Sequence, residues 1–105
     1  MNAEQLQTIG IAAGYDIRLY KNMALSYDDR LGNVEWNPET NAEQTLMVLE
    51  WLEELDVRIE MQRFPGIWYI EIWNKETENI KQINNSDFQT AVCMAAFEYA
   101  ETLKK

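Results

Sequence analysis

The sequence predicts an α+β domain, with helices packed on a three-stranded antiparallel sheet in the element order ααβββα. Residues 57–62 alternate between apolar and polar, and residues 67–73, on the other side of a Pro-Gly dipeptide, are largely apolar, which together are typical of a β-hairpin. Residues 41–55 before it and 87–103 after it carry apolar side chains three and four positions apart, as amphipathic helices do. Such helices bury their apolar stripes on a sheet, so the sequence predicts an alpha/beta/alpha sandwich.

The N-terminal segment, residues 1–25, is predicted to be helical. Apolar residues recur there at helical spacing: Leu6, Ile9, Ala13, Ile17 and Tyr20. Gly10 and Gly14 each lower helix stability by about 1 kcal/mol relative to alanine. The segment therefore forms either two short helices or one helix that begins near Gly14. Residues 26–40, rich in Asp, Asn and Gly, are predicted to form a surface loop.

The second predicted helix, residues 41–55, has a clear start signal. Thr40 and Asn41 are both candidate N-caps, because each is followed three residues later by Glu or Gln, as in a capping box. Its predicted buried stripe comprises Ala42, Leu46, Leu49, Leu52 and Leu55, with Val48 beside it. The opposite side is acidic and comprises Glu43, Glu50, Glu53 and Glu54. Met47 and Trp51 lie off the stripe, and we expect them to widen the buried face rather than form an exposed patch.

The predicted sheet occupies residues 57–83. Three residues of its first strand are predicted to point to the core: Val57, Ile59 and Met61. The Pro-Gly dipeptide suits the central positions of a type II turn. The second strand, residues 67–73, is apolar on both faces apart from Glu71, which predicts a central strand with helices above and below it. Residues 78–83 are predicted to form an edge strand.

The last predicted helix, residues 87–103, begins at a capping box of Ser86 and Gln89, with Asp87 placed favourably for the helix dipole. Its predicted buried stripe comprises Phe88, Ala91, Val92, Ala95, Ala96, Tyr99 and Leu103. Cys93 lies in the same apolar pattern. As the only cysteine it forms no intramolecular disulfide, and we expect a buried, inert thiol.

Length and charge limit the class of protein. A chain of 105 residues is large enough for one core and too small for two, so residues 1–105 are predicted to form a single domain. The formal net charge of −9 disfavours binding to nucleic acid or to an anionic membrane. It suits a basic protein partner, or simply solubility. The lack of an apolar secretory or membrane-spanning run predicts a cytoplasmic protein.

Catalytic and metal-binding patterns are weak, and the sequence predicts no enzyme, no cofactor and no metal site. With no histidine, the chain lacks the commonest general base and the usual transition-metal ligand. Two groups of carboxylates are candidate cation ligands: Asp28, Asp29 and Glu35 in one, and Glu53, Glu54 and Asp56 in the other. Neither group has EF-hand spacing, and runs of carboxylates are usually solvated. Gly10 and Gly14 do not form a phosphate-binding loop, because no strand precedes them.

Two stretches share a pattern with a known family. The first is EWNPETNAEQTLMVLEWL, with matching positions at Trp36, Pro38, Thr40 and Asn41. The second is SDFQTAVCMAAFEYA, with matching positions at Ala91, Val92, Cys93, Ala95 and Ala96. Together with the aromatic hairpin that contains Trp68 and Tyr69, they resemble the phage ABA sandwich domain family over residues 14–101. The resemblance implies an alpha/beta/alpha layered domain encoded by bacteriophages or prophages, in a family without an established activity.

Two kinds of residue are candidate partner contacts. They comprise Glu50, Glu53, Glu54, Asp56, Trp36, Trp51 and Trp73. The acidic residues lie on or just after the second helix, while the tryptophans stand at a loop end, off a helix stripe and on the second face of a strand. Filling the core is the alternative role of the tryptophans. If two of them are exposed together, they form an apolar patch rimmed by acidic residues.

The leading hypothesis is a small non-enzymatic phage or prophage protein that acts in the cytoplasm of the host bacterial cell. It binds a basic host protein and interferes with it, for instance as an acidic decoy in counter-defence. An alternative is an oligomeric binder of a small ligand such as a nucleotide signal, with candidate contacts at Arg18, Lys21, Tyr15 and Tyr20. A structural or assembly role in a phage particle is a further alternative.

Overall fold

A computed structural model describes residues 1–55, 57–74 and 79–103, and for 79–81 it describes the backbone alone. Within these residues the elements are α1 (Ala3–Ala12), β1 (Ile17–Tyr20), β2 (Met23–Ser26), α2 (Ala42–Glu54), β3 (Val57–Phe64), β4 (Ile67–Asn74), β5 (Asn79–Asn85) and α3 (Phe88–Leu103). The strands form a three-stranded sheet, β3-β4-β5, and a separate two-stranded sheet, β1-β2. The predicted α+β class and three-stranded antiparallel sheet are confirmed. The element order is αββαβββα rather than ααβββα.

The predicted helical segment over residues 1–25 is one helix followed by a β-hairpin, so this prediction is wrong in its second half. α1 ends just before Gly14, which has a φ of 92°. The backbone N–H of Tyr15 donates to the carbonyl of Gly10 (2.9 Å), the bond that closes a Schellman motif. The chain then extends into β1. Ile17, which fits the helical spacing, is buried there as a strand residue.

The β1-β2 hairpin turns at Lys21 and Asn22 without a glycine or a proline. Lys21 adopts a φ of 56°, in the left-handed region that residues other than glycine rarely occupy. A single bridge between Leu25 and Glu35 attaches the following connection to the edge of the hairpin. The connection between β2 and α2 therefore comprises residues 27–41 rather than the predicted 26–40, and this bridge ties it to a sheet.

The central position of β4 in the larger sheet confirms the prediction, with β3 and β5 at its edges. The chain reverses at the Pro-Gly dipeptide, where Gly66 has a φ of 78°, as the predicted turn requires. This turn places Phe64 opposite Ile67 and sets the register of the whole β3-β4 pair. β5 spans Asn79–Asn85 rather than 78–83, and residue 78 lies outside the described residues.

Both helices that contact the larger sheet lie on the same face of it. Ile70 and Ile72 are buried against them, and Ile59 of β3 pairs with Ile72 on this inner face. α1 packs on α3 and on the β1-β2 hairpin instead of on the larger sheet. No described helix covers the other face of β4, so the predicted sandwich with helices on both faces is not formed by the described residues. Glu71 and its polar neighbours on β3 explain why this face stays open, since a covering helix would bury their charges.

The cap of α2 is Asn41 and not Thr40. Its side-chain Oδ1 accepts a hydrogen bond from the backbone N–H of Gln44 (3.2 Å). The side chain of Gln44 turns to the preceding loop instead of completing a capping box. Its Nε2 donates to the carbonyl of Glu35 (2.8 Å), and its Oε1 accepts from the N–H of Asn37 (2.6 Å). The loop before α2 is thereby fixed against the first turn of the helix.

The buried face of α2 is rotated relative to the predicted stripe. It comprises Gln44, Thr45, Val48, Trp51 and Leu52. Ala42 and Leu46, both predicted to be buried, are exposed. Thr45 is accommodated inside because its Oγ1 donates to the carbonyl of Pro38 (2.6 Å) and accepts from Nε2 of Gln89 in α3 (2.9 Å). Buried polar groups are tolerated when they are hydrogen-bonded, which a stripe drawn from apolar residues alone does not anticipate.

The N-cap of α3 is Asp87 rather than Ser86. The Asp87 carboxylate accepts a hydrogen bond from the backbone N–H of Thr90 (2.8 Å), which lowers the pKa of Asp87. The buried residues of α3 are Ala91, Val92, Cys93, Ala95, Ala96, Tyr99 and Ala100, so most of the predicted stripe is confirmed. Leu103 is 51% exposed, in contrast to the prediction. Cys93 is a free, buried thiol, and burial raises its pKa to about 12, as expected for an inert cysteine.

Replacing Asn41 with alanine is expected to lower the free energy of unfolding by about 1 kcal/mol, because the N–H of Gln44 loses its cap. Urea denaturation followed by circular dichroism measures this difference. Thr40→Ala is the matched control, because Thr40 is exposed and lies one residue outside the cap. Equal losses for the two variants would contradict the assignment of the cap.

Candidate interaction surfaces

The acidic side of α2 faces solvent. Glu50, Glu53 and Glu54 are exposed, and none of them forms an ion pair with a described residue. Asp56, the fourth acidic residue of the predicted contact, lies outside the described residues. Because α2 packs on the sheet and on α3 through its opposite side, these three carboxylates point away from the sheet.

Acidic and basic residues are segregated between the helices and the strands. The charged residues of the helices are all acidic: Glu4, Glu43, Glu50, Glu53, Glu54, Glu98 and Glu101. The described basic residues lie on strands or on the connections that follow them: Arg18, Lys21, Arg30, Arg58, Arg63 and Lys81. Three of these arginines pair with carboxylates two positions away in the sequence. Their positive charge is therefore balanced locally and does not neutralise the carboxylates of the helices. Within the described residues, the helices therefore carry seven carboxylates and no basic side chain.

The tryptophans predicted to contact a partner separate into core and surface residues. Trp36 is 0% exposed, and its indole N–H donates to the carbonyl of Leu6 (2.9 Å). Trp51 is 8% exposed and lies edge-on to Tyr99, with ring centroids 6.3 Å apart. Both residues fill the core, so the hypothesis of an exposed tryptophan patch is wrong for them. Trp73 is half-buried on the open face of the larger sheet and is the member of the three that remains accessible.

The open face of the larger sheet, called here the outer sheet face, is the second surface. Its described side chains are Arg58, Glu60, Gln62 and Phe64 of β3, Ile67, Tyr69, Glu71 and Trp73 of β4, and Gln82 and Asn84 of β5. Phe64 is 49% exposed. Ile67, Tyr69 and Trp73 are not among the apolar residues that pack against the core. The outer sheet face is thus an aromatic and charged surface that no described helix covers.

The centre of the outer sheet face brings two carboxylates together. Glu60 of β3 lies directly opposite Glu71 of β4. This pair was not among the predicted contacts, although the sequence contains a signal for it. Because the Pro-Gly turn sets Phe64 opposite Ile67, counting back along both strands gives Glu60 opposite Glu71.

Hydrogen bonds fix the polar groups of the outer sheet face. Oε2 of Glu71 accepts from the hydroxyl of Tyr69 (2.6 Å) and from Nε2 of Gln82 (3.1 Å). The bond from Tyr69 lowers the pKa of Glu71 and raises that of the Tyr69 phenol. Arg58 donates to Oε1 of Glu60 (2.7 Å), and its guanidinium lies 5.2 Å from the ring centroid of Trp73. Glu71 therefore stays ionised beside Glu60 at neutral pH.

The candidate contacts for a small ligand are distributed around the β1-β2 hairpin and do not line one pocket. They are Arg18, Lys21, Tyr15 and Tyr20. Arg18 is paired with Asp16 (3.0 Å), and Tyr15 packs on the indole of Trp36 with ring centroids 5.6 Å apart. Lys21 lies beside the ring of the preceding tyrosine and lines an open cavity of about 430 Å³ together with residues of α1. Only Lys21 of the four lines this cavity.

Asp28, one of the three loop carboxylates considered as cation ligands, has a structural role instead. Asp28 accepts hydrogen bonds from the Arg30 guanidinium (2.8 and 2.9 Å) and from the backbone N–H of Asp16 (3.1 Å). The Arg30 guanidinium holds the pKa of Asp28 well below its usual range. No group of three or more acidic or cysteine side chains among residues 1–55, 57–74 and 82–103 is arranged to hold a metal ion. Asp28, together with Arg30, which also donates to the carbonyl of Gly14, thus ties the connection after β2 to the end of α1.

Comparisons with known proteins give no independent relative. No family model, no curated protein and no solved structure matches this chain. In the part of the chain that the structure describes, the helices are too short or too polar to cross a membrane. The resemblance to the phage ABA sandwich domain family therefore rests on the sequence pattern alone.

Proposed function

We propose that this chain is a small non-enzymatic binding protein whose partner is a basic protein of a bacterial host. The observation that supports it is the segregation of charge, because the helices, as far as the structure describes them, expose carboxylates and carry no basic side chain. Such a negative surface accelerates the encounter with a basic protein, and it repels nucleic acid and anionic lipid. A solvated acidic face is common, so the specificity of the contact has to come from its geometry as well as its charge.

The contact assigned to this function is the exposed row of Glu50, Glu53 and Glu54 on α2. These residues lie on one rigid helix, which is capped by Asn41 and anchored by buried side chains. A preorganised row of carboxylates can occupy a basic groove that otherwise holds nucleic acid, which is how an acidic decoy works. The resemblance to phage proteins favours a host defence protein in the cytoplasm as the target.

A pull-down from bacterial lysate tests the proposal. The tagged chain is compared with a triple variant, Glu50→Lys, Glu53→Lys and Glu54→Lys, and the retained proteins are identified by mass spectrometry. The matched control is Asp29→Lys, Glu35→Lys and Glu98→Lys, which makes the same change of net charge at exposed positions away from the contact row. We expect the wild type and the control to retain a basic protein that the α2 variant loses.

The decoy mechanism has its own measurement. If the retained protein is a nuclease, the purified chain should inhibit its cleavage of DNA, and the inhibition should weaken as salt rises, since exposed charges are screened. Equal retention by both triple variants, or no basic protein retained at all, would overturn the proposed function.

A further inference from the structure

The outer sheet face has an unbalanced charge at its centre. Side chains directly opposite each other on antiparallel strands have Cβ atoms about 4.5–5.5 Å apart, and like charges in such positions repel. Glu60 and Glu71 form such a pair. Arg58 donates to Glu60, whereas the hydrogen-bond donors to Glu71 are the neutral side chains of Tyr69 and Gln82. Two carboxylates therefore share one described cation.

Aromatic rings stand on both sides of this pair along β4. Tyr69 and Trp73 are two positions before and after Glu71, so their side chains share its face, each about 7 Å along the strand from it. Arg58 already lies against the Trp73 ring, which shows that this ring accepts a guanidinium in the fold itself. An added cation at the centre would meet two carboxylates between two aromatic side chains.

The charge of the outer sheet face discriminates between possible occupants. A second copy of the chain, packed face to face, would bring four carboxylates together at the centre of two molecules that each carry a net charge of −9. Nucleic acid and anionic lipid are repelled by the same charges. A basic protein segment is the occupant whose charge is complementary.

We propose that the outer sheet face docks an extended basic segment of a partner protein, with a lysine or arginine side chain placed between Tyr69 and Trp73 to pair with Glu60 and Glu71. An extended segment suits the face because its side chains repeat with the same period of two as those of the strands. This inference rests on the proposed function, since it takes a basic partner. It adds a contact on the side of the sheet opposite to α2.

The test is a titration of the ¹⁵N-labelled chain with a synthetic peptide in which arginine alternates with valine. A peptide with glutamate in place of arginine is the matched probe. The indole N–H signal of Trp73 reports on the outer sheet face, and the signal of Trp36, which is bonded to Leu6, reports that the fold is intact. We expect the basic peptide to shift the Trp73 signal while the Trp36 signal stays in place.

Two double variants assign the effect to the central carboxylates. We expect Glu60→Gln with Glu71→Gln to weaken binding about tenfold, as the loss of two partly exposed ion pairs predicts. Glutamine at position 71 can still accept the hydrogen bond from Tyr69, so the strand pairing is retained. Asp29→Asn with Glu35→Gln makes the same change of net charge elsewhere and should leave binding within about twofold.

The outcomes separate this inference from the proposed function. A shift of α2 signals with an unchanged Trp73 signal overturns the inference and leaves the proposed function standing. Equal binding of the glutamate peptide, dimerisation in light scattering at the same concentration, or no shift at millimolar basic peptide also overturns it. The pull-down with the α2 variants decides the proposed function independently.

Discussion

Trp36→Ala is expected to lower the free energy of unfolding by about 3–5 kcal/mol, which is a large part of the stability of a domain of this size. The indole is fully buried, and its N–H donates to the carbonyl of Leu6 in α1. Removing it leaves a cavity where α1, the loop before α2 and the β1-β2 hairpin meet. Urea denaturation, followed by far-ultraviolet circular dichroism, measures the loss.

Two further variants show how much of the loss of stability comes from the burial of Trp36 and how much from removing a large ring. Trp73→Ala removes the same side chain from the half-buried outer sheet face, so it should cost clearly less than Trp36→Ala. Trp36→Phe keeps an aromatic ring but removes the donor to Leu6, and an intermediate loss is expected. If Trp73→Ala were as damaging as Trp36→Ala, the central role of Trp36 in the core would be refuted.

Gly10→Ala is expected to destabilise the fold by about 1–3 kcal/mol, even though alanine is the better helix former. A Cβ at this position would lie 2.4 Å from Cγ1 of Ile17 and 2.9 Å from Nε1 of Trp36. Neither atom is the free end of a flexible chain, because both belong to fully buried side chains. The close approach of α1 to the hairpin and to the indole therefore requires glycine. The same denaturation measurement gives the difference.

A double-mutant cycle identifies the cause. In a chain that already carries Ile17→Ala, the nearest clashing atom is gone, so Gly10→Ala should cost less than it does in the wild type. Additive losses would show that the contact with Ile17 is not responsible. A gain in stability in the wild type would mean that helix propensity outweighs packing at this position.

The elements that were predicted correctly are those in which the spacing of apolar residues agrees with the positions of turn and cap residues. The β3-β4 hairpin has an alternating strand before a Pro-Gly turn and a largely apolar strand after it, and α3 has one apolar stripe, so both were placed correctly. The β1-β2 hairpin was missed because Ile17 continues the helical spacing of α1 and because its turn uses Lys21 and Asn22 rather than glycine. Gly14 was the available signal, since a glycine in this position commonly ends a helix.

The candidate surfaces were predictable to different degrees. Exposure of the acidic side of α2 follows from amphipathic spacing, whereas burial of Trp36 depends on α1 and cannot be read from the neighbouring loop residues. The pairing of Glu60 with Glu71 required the register, which the turn supplies only once both strands are accepted. The packing of α1 on α3 and on the β1-β2 hairpin joins elements that are distant in the sequence, so no local pattern predicts which surface α1 covers.

The junction made by Gln44 and Thr45 has a consequence for how the chain folds. Its hydrogen bonds join residues 7, 9 and 44 positions apart. The polar side chains of Gln44 and Thr45 therefore reach all their partners only after the preceding loop and α3 have docked. The β3-β4 hairpin needs only neighbouring residues and closes through a tight turn. Because contacts of long sequence separation form late, the hairpin should precede the helical layer in time. The loop, α2 and α3 then gain protection from hydrogen exchange together, as one cooperative unit.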